Sequence, residues 1–181
     1  MKKLLLASLI LVITGLGTTA KAQIFEEGAK IVQGGIGFGF AYGAAGTNAG
    51  LPPLHVSAEY GFNEKIGLGA LIGFSTASQD FGGFGKYNYN FLVIGARGTY
   101  HFYQEGKIDA YGGAMLGYNI ASVSYKGNST FYENAVKNVS VGGVSFGGFA
   151  GARYSFNEQL HGFAEVGYNI AYFSFGVGYK L

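Results

Sequence analysis

The last nine residues of the chain, Phe173 to Leu181, alternate strictly between bulky apolar side chains and small or polar ones. Phe173, Phe175, Val177, Tyr179 and Leu181 fall on one face of an extended strand, and Ser174, Gly176, Gly178 and Lys180 fall on the other. Successive side chains of a strand point to opposite faces, so the pattern predicts a β-strand with one wholly apolar face. Few folds can use such a strand, because that face is too apolar for water.

Composition indicates where the apolar face can be placed. Charged residues make up 12% of the chain, about half the usual share for a soluble domain, while Gly reaches 33 residues, Tyr 14 and Phe 16. After residue 22 no apolar stretch reaches the length of a transmembrane helix. A membrane chain without spanning helices must satisfy its backbone hydrogen bonds in a closed barrel. We therefore predict an all-β transmembrane barrel.

The amino-terminal residues predict export. Lys2 and Lys3 precede an apolar run over 4–16, and Ala20-Lys21-Ala22 matches an A-x-A cleavage site. We predict a signal peptide over 1–22 and a barrel over 23–181, and the absence of Cys after the cleavage site argues against a lipoprotein. A net charge of +2 gives no reason to expect nucleic acid as a partner, and the absence of Cys excludes disulfide and thiol chemistry.

Period-two alternation continues through eight segments, each close to the nine to eleven residues with which a tilted strand crosses a bilayer. These segments are 36–42, 54–62, 66–74, 92–102, 114–120, 144–156, 160–168 and 173–181. We predict an eight-stranded antiparallel up-and-down barrel. The short connections 63–65, 103–107 and 157–159 then face the periplasm, and the long ones, 43–53, 76–86 and 121–141, face outside. The fourth outer connection, near 169–172, is much tighter.

Two short motifs end predicted strands. GAR occurs at Gly95–Arg97 and Gly151–Arg153, and YHF occurs at Tyr100–Phe102. With the leader and the alternating C-terminal strand, they make the chain resemble the small outer-membrane barrels of the OmpA and OmpX type. The resemblance implies the bacterial outer membrane, contact with its lipid and a monomeric state. It also implies insertion by the barrel assembly machinery, which reads a C-terminal signal, here Phe175, Val177, Tyr179 and Leu181.

Charged residues on the inward face form a coherent set. Glu59, Arg97, Arg153 and Glu165 each lie three to five residues above the periplasmic end of their strand. Buried charges are costly unless paired, so we predict a salt-bridged plug in a lumen that eight strands leave just wide enough for side chains. Phe149 and Phe163 also point inward. The alternative is a narrow small-solute pore that uses the same charges as its constriction.

The three histidines of the chain lie on predicted inward faces. His55, Ser57 and Glu59 share the inward face of the second strand, and the pattern is similar to the His-x-Ser pair of the lipid A 3-O-deacylases. In those enzymes the site faces lipid, and Asn follows the Ser where this chain has Ala58. We predict a polar lumen row and no enzyme, with a lipid A-modifying hydrolase as a remote alternative. His101 and His161 are predicted as solvated lumen residues, without a metal site or cofactor.

The third outer connection is the predicted place for recognition. Tyr125-Lys126-Gly127-Asn128 is a turn signal that would let the fifth and sixth strands project beyond the membrane. Tyr125, Phe131 and Tyr132 would then lie on an exposed edge, where an extracellular protein or surface ligand could bind by strand addition. The alternative is a loop without a partner.

Overall fold

The computed structural model describes residues 23–40, 48–80, 85–126 and 139–181. The strands are β1 (Lys30–Phe40), β2 (Asn48–Ala49), β3 (Leu54–Gly61), β4 (Ile66–Asp80), β5 (Lys86–Glu105), β6 (Ile108–Lys126), β7 (Val139–Ser155), β8 (Leu160–Tyr168) and β9 (Ala171–Lys180). In this part of the chain no helix is long and apolar enough to cross a membrane. The predicted signal peptide, 1–22, lies outside the described residues.

The eight long strands form one closed antiparallel barrel, as the sequence predicts. Each long strand pairs with the next long strand along the chain, and β1 pairs with β9 to close the circle. The two-residue strand β2 lies outside this circle and pairs with Ala77 and Ser78 near the outer end of β4.

The strand register fixes the dimensions of the barrel. Cross-strand pairs followed from Gly35 through β3, β4, β5 and β6 lead to Gly143 on β7. Followed the other way, through β9 and β8, they lead to Arg153 on β7, ten residues further along. Eight strands with this shear tilt by about 40° and give a Cα radius of about 8 Å. Side chains fill a barrel of that radius.

Exposed and buried side chains alternate along the barrel strands as the sequence pattern requires. On β3, for example, Val56 is 50% exposed while its neighbour Ser57 is 6% exposed. The exposed set is dominated by aliphatic and aromatic residues, so the outer surface is an apolar wall. The start of β1 differs from the prediction, because the inward positions Ile31 and Gln33 extend this strand back to Lys30.

One side of the barrel is taller than the other. Strands β4 to β7 contain 15, 20, 19 and 17 residues, whereas β1, β3, β8 and β9 contain 8 to 11. Most of the additional residues are at the outer ends, in segments predicted as loops. We call 76–80, 86–91, 121–126 and 139–143 the outer wall. Its backbone pairing continues the barrel strands beyond the apolar band, and this shortens the predicted loops.

The connection between β8 and β9 is only Asn169 and Ile170, in agreement with the predicted tight turn. It folds inward, since Asn169 is 4% and Ile170 2% exposed. Gly73 leaves the space for it, because a Cβ there would lie 2.0 Å from Ile170 Cδ1. The turn therefore occupies the outer half of the lumen.

Candidate functional site

The four charged residues that the sequence places in the lumen form two ion pairs inside the barrel. Arg97 Nη2 lies 2.7 Å from Glu165 Oε1, and Arg153 Nη2 pairs with a carboxylate oxygen of Glu59. None of these side chains is more than 10% exposed. Arg153 and Glu165 lie diagonally on the paired strands β7 and β8, but each forms its ion pair with a residue on a strand across the lumen.

Arg153 is the centre of the larger group. Its Nη1 donates to Asp109 Oδ2 at 3.2 Å and its Nε donates to Gln33 Oε1 at 2.5 Å, in addition to the contact with Glu59. Asp109 Oδ1 in turn lies 2.7 Å from His101 Nδ1. The guanidinium thus binds acceptors from β1, β3 and β6 at once, which ties four strands together through one side chain.

Sequence reasoning did not assign Asp109 and Gln33 to the site. Both lie beyond the predicted ends of their strands, since the alternation predicts the strand of Asp109 from 114 and the strand of Gln33 from 36. A signal was available, because inward positions continue at intervals of two from Met115 through Tyr111 to Asp109, and all three are buried.

Tyr111 connects the two ion pairs. Its hydroxyl donates to Glu165 Oε1 at 2.8 Å, and the Arg153 guanidinium carbon lies 4.4 Å from the centre of its ring. Arg97 lies over the Phe149 ring at 3.9 Å, and the rings of Tyr111 and Phe149 meet edge to face. Both cations are therefore held by an acid on one side and an aromatic ring on the other. We call Gln33, Glu59, Arg97, Thr99, His101, Asp109, Tyr111, Arg153 and Glu165 the lumen network.

The charges of the lumen network are close to balance. Two guanidinium groups face the three carboxylates of Glu59, Asp109 and Glu165. His101 lies between two of these acids, with Nδ1 2.7 Å from Asp109 and Nε2 3.3 Å from Glu59, and the Thr99 hydroxyl also donates to Glu59. Buried charges of this kind are tolerated because nearly every one has a partner.

The histidines are less solvated than the sequence suggested. His101 and His161 are each 1% exposed, so the prediction of solvated lumen histidines is wrong. His55 is 4% exposed, and neither of its ring nitrogens has a hydrogen-bond partner in the described part of the chain. The contact between base and nucleophile that a hydrolase would need from His55 and Ser57 is thus not formed. The described residues contain no group of three His, Cys, Asp or Glu that could hold a metal ion.

The structure does not place Tyr125, one of the predicted outer recognition residues, where the sequence predicts it. Tyr125 is 7% exposed, and its ring packs 5.1 Å from that of Tyr87, so it does not lie on an exposed edge. Register explains this, since Tyr125 continues the inward row of β6. Phe131 and Tyr132 lie outside the described residues.

The residues of the predicted C-terminal signal lie on the outer surface of the barrel. The side chains of Phe175, Val177, Tyr179 and Leu181 are 44%, 59%, 43% and 74% exposed. They follow the outward face of β9, the strand that closes the barrel against β1.

A closed eight-stranded barrel with an apolar exterior and a charged, filled interior defines a small outer-membrane β-barrel protein. The family model described as "Outer membrane protein beta-barrel domain" matches residues 8–180. The chain belongs to this family, whose place is the bacterial outer membrane.

Solved structures show the same fold at low sequence identity. The N-terminal barrel domain of Pseudomonas aeruginosa OprF is 15% identical, with a TM-score of 0.56 over 86% of this chain and 99% of that chain. Ail of Yersinia pestis, solved with the heparin analogue sucrose octasulfate, is 12% identical, with a TM-score of 0.53 over 87% and 99%. OprG of Pseudomonas aeruginosa is 14% identical, with a TM-score of 0.52 over 87% and 97%. No curated protein sequence matches the chain.

Proposed function

We propose that this protein is a closed outer-membrane barrel that is plugged by the lumen network and presents its outer wall to an extracellular partner. The main support is the position of Arg153, which binds acceptors on three other strands in the cross-section that a solute would have to pass. A pore would need these contacts to open, and removing a buried charge from its partners is costly.

Two further layers support a closed lumen. Leu71, Val93 and Met115 form a buried apolar cluster on the inward faces of β4, β5 and β6. Beyond it, toward the outside, Ile170 packs against Gly73. This apolar cluster and the inward turn, next to the paired charges, support a lumen closed to water and ions.

Single-channel recording in planar bilayers tests the plug. We expect the refolded protein to give no discrete conductance steps, while a porin reconstituted in the same way does. Refolding is checked by gel electrophoresis, because an intact barrel unfolds slowly and migrates differently from the unfolded chain. Reproducible steps from the parent protein would overturn the plug and favour the small-solute pore instead.

Recognition at the outer wall is the second part of the proposal, and it rests on one edge of β7. Pairing between β7 and β8 begins at Gly148, so within the described residues 139–147 pair only with β6. The opposite edge of the outer wall is covered where β2 pairs with β4. Segment 139–147 contains no charged residue and no Pro, the residues that usually protect an exposed edge. Gly143 is open, since a Cβ there would have no heavy atom within 4 Å.

We therefore assign the recognition role to this β7 edge rather than to Tyr125, with an extended segment of another polypeptide as the partner. A second copy in the same membrane fits less well. Antiparallel pairing of two β7 edges would require the two barrels to be inserted in opposite orientations.

Amide hydrogen exchange in detergent micelles tests the edge. We expect alternate amides within 140–146 to exchange fast, because they face away from β6, whereas all amides within 90–96 of β5 exchange slowly. An extended peptide of alternating Thr and Val, added in excess, should slow the fast set. Uniformly slow exchange in the free protein, or no protection by the peptide, would contradict strand addition at β7.

A further inference from the structure

Residues 23–29, which precede β1, fold into the periplasmic end of the barrel. Phe25 is completely buried, and its ring stacks on the His101 imidazole with 3.5 Å between ring centres and 8° between planes. Ile24 is also buried and forms an apolar cluster with Phe25 and Ile31. The segment thus inserts two apolar side chains into the barrel beneath the lumen network.

Main-chain contacts hold the segment in place. Gly28 N donates to Gly61 O, and Gly61 N donates to Ala29 O, each at 2.8 Å. The backbones are so close that a Cβ on Gly61 would lie 2.1 Å from the carbonyl oxygen of Glu26. Only glycine at the end of β3 allows this approach.

Polar contacts at the rim complete the docking. Lys180 Nζ lies 2.6 Å from Glu26 Oε1 and donates to Gln23 O at 3.1 Å. Gln23 Nε2 also donates to Phe25 O at 3.1 Å. The segment is therefore held by an apolar slot, by backbone pairing and by one cation. Main-chain hydrogen bonds combined with side-chain pockets are a common way to bind an extended peptide.

We infer that the periplasmic mouth of this barrel is a binding site for an extended peptide bearing an aromatic residue, and that residues 23–29 occupy it in cis. The aromatic ring enters the slot beneath the His101 imidazole. A carboxylate on the next residue pairs with Lys180, and a small residue lies against Gly61. The inference rests on the closed barrel proposed above, and adds to it a second, peptide-made closure on the periplasmic side.

The absence of Trp from the chain allows a direct test. A Phe25→Trp variant of the full protein carries one fluorophore in the slot, and Glu27→Trp carries one at an exposed position of the same segment. We expect blue-shifted emission from Phe25→Trp and quenching by acrylamide that is several-fold weaker than for Glu27→Trp. Equal quenching of the two variants would overturn the inference.

Two glycine substitutions distinguish a loss of docking from a general loss of stability. Gly61→Ala in the Phe25→Trp background should raise quenching to the level of Glu27→Trp, because the added Cβ meets the Glu26 carbonyl. Gly34→Ala is the control, since a Cβ there has no heavy atom within 4 Å. A Gly61→Ala protein that remains folded with its fluorophore shielded would contradict the docking described.

Binding in trans is measured on the full-length Phe25→Ala variant, whose own segment no longer fills the slot. The probe is a peptide Gln-Ile-Trp-Glu-Glu-Gly, competed by Gln-Ile-Phe-Glu-Glu-Gly or by Gln-Ile-Ala-Glu-Glu-Gly. We expect a saturable blue shift that the Phe peptide reverses and the Ala peptide does not. No saturable shift, or equal competition by both peptides, would overturn the site. Peptide binding to the Phe25→Ala variant and conductance of the parent protein are measured independently. Failure of the peptide site is therefore distinct from failure of the lumen plug.

Discussion

Replacing Arg153 with Met should lower the free energy of unfolding by about 3–5 kcal/mol, the usual cost of breaking a buried charge group by removing one partner. The Arg153 side chain is 2% exposed, and its guanidinium binds Glu59, Asp109 and Gln33. Without it, the carboxylates of Glu59 and Asp109 lose their main cationic partner inside the barrel. Urea unfolding of the protein refolded into lipid vesicles, followed by circular dichroism, measures the loss.

Two further variants make this result specific. Lys65→Met removes a cation from an exposed periplasmic turn, and we expect a change of less than about 0.5 kcal/mol. Adding Glu59→Gln and Asp109→Asn to Arg153→Met should restore a large part of the lost stability, since no uncompensated charge then remains. An Arg153→Met protein within about 1 kcal/mol of the parent would show that the lumen network does not hold the barrel together.

Tyr111→Ala should cost about 3–5 kcal/mol, in the range of other large aromatic truncations in cores. Tyr111 is fully buried, its ring contacts Arg153 and Phe149, and its hydroxyl binds Glu165. Tyr111→Phe keeps the ring and loses only the hydrogen bond to a carboxylate, for which we expect about 1–3 kcal/mol.

The same unfolding assay separates the two contributions. Tyr100→Ala is the matched control, because Tyr100 is 51% exposed on the outward face of the neighbouring strand. We expect it to cost clearly less than Tyr111→Ala. If Tyr111→Phe and Tyr111→Ala cost the same, the ring would contribute nothing and the aromatic part of the lumen network would need a different explanation.

The faces of the strands could be predicted from sequence because period-two alternation is a local property. Val56 and Ser57 differ in exposure as their positions require, and the same rule holds for the C-terminal strand. The ends of the strands could not be placed as well. In the outer wall the outward positions become polar, as at Ser78 and Asn88, so the contrast between the two faces is lost although the backbone pairing continues.

Sequence predicts four charged members of the lumen network as inward-facing, namely Glu59, Arg97, Arg153 and Glu165, but it does not predict their partners. Arg97 on β5 reaches Glu165 on β8 across the lumen, and such pairs depend on the barrel shear, which no local pattern encodes. The docking of Phe25 was also missed. It lies in a short stretch beside Glu26 and Glu27, where no alternation marks a buried side chain.

The inward turn of Asn169 and Ile170 has a consequence for assembly. Residues of an outer connection must cross the bilayer, and polar backbone without partners is costly there. The hairpin of β8 and β9, which completes the circle against β1, has only these two residues to carry across. Both then lie inside the lumen rather than in water. The hairpin that pairs with β1 therefore needs to carry almost no polar backbone across the bilayer, whereas the longer outer connections belong to hairpins from earlier parts of the chain.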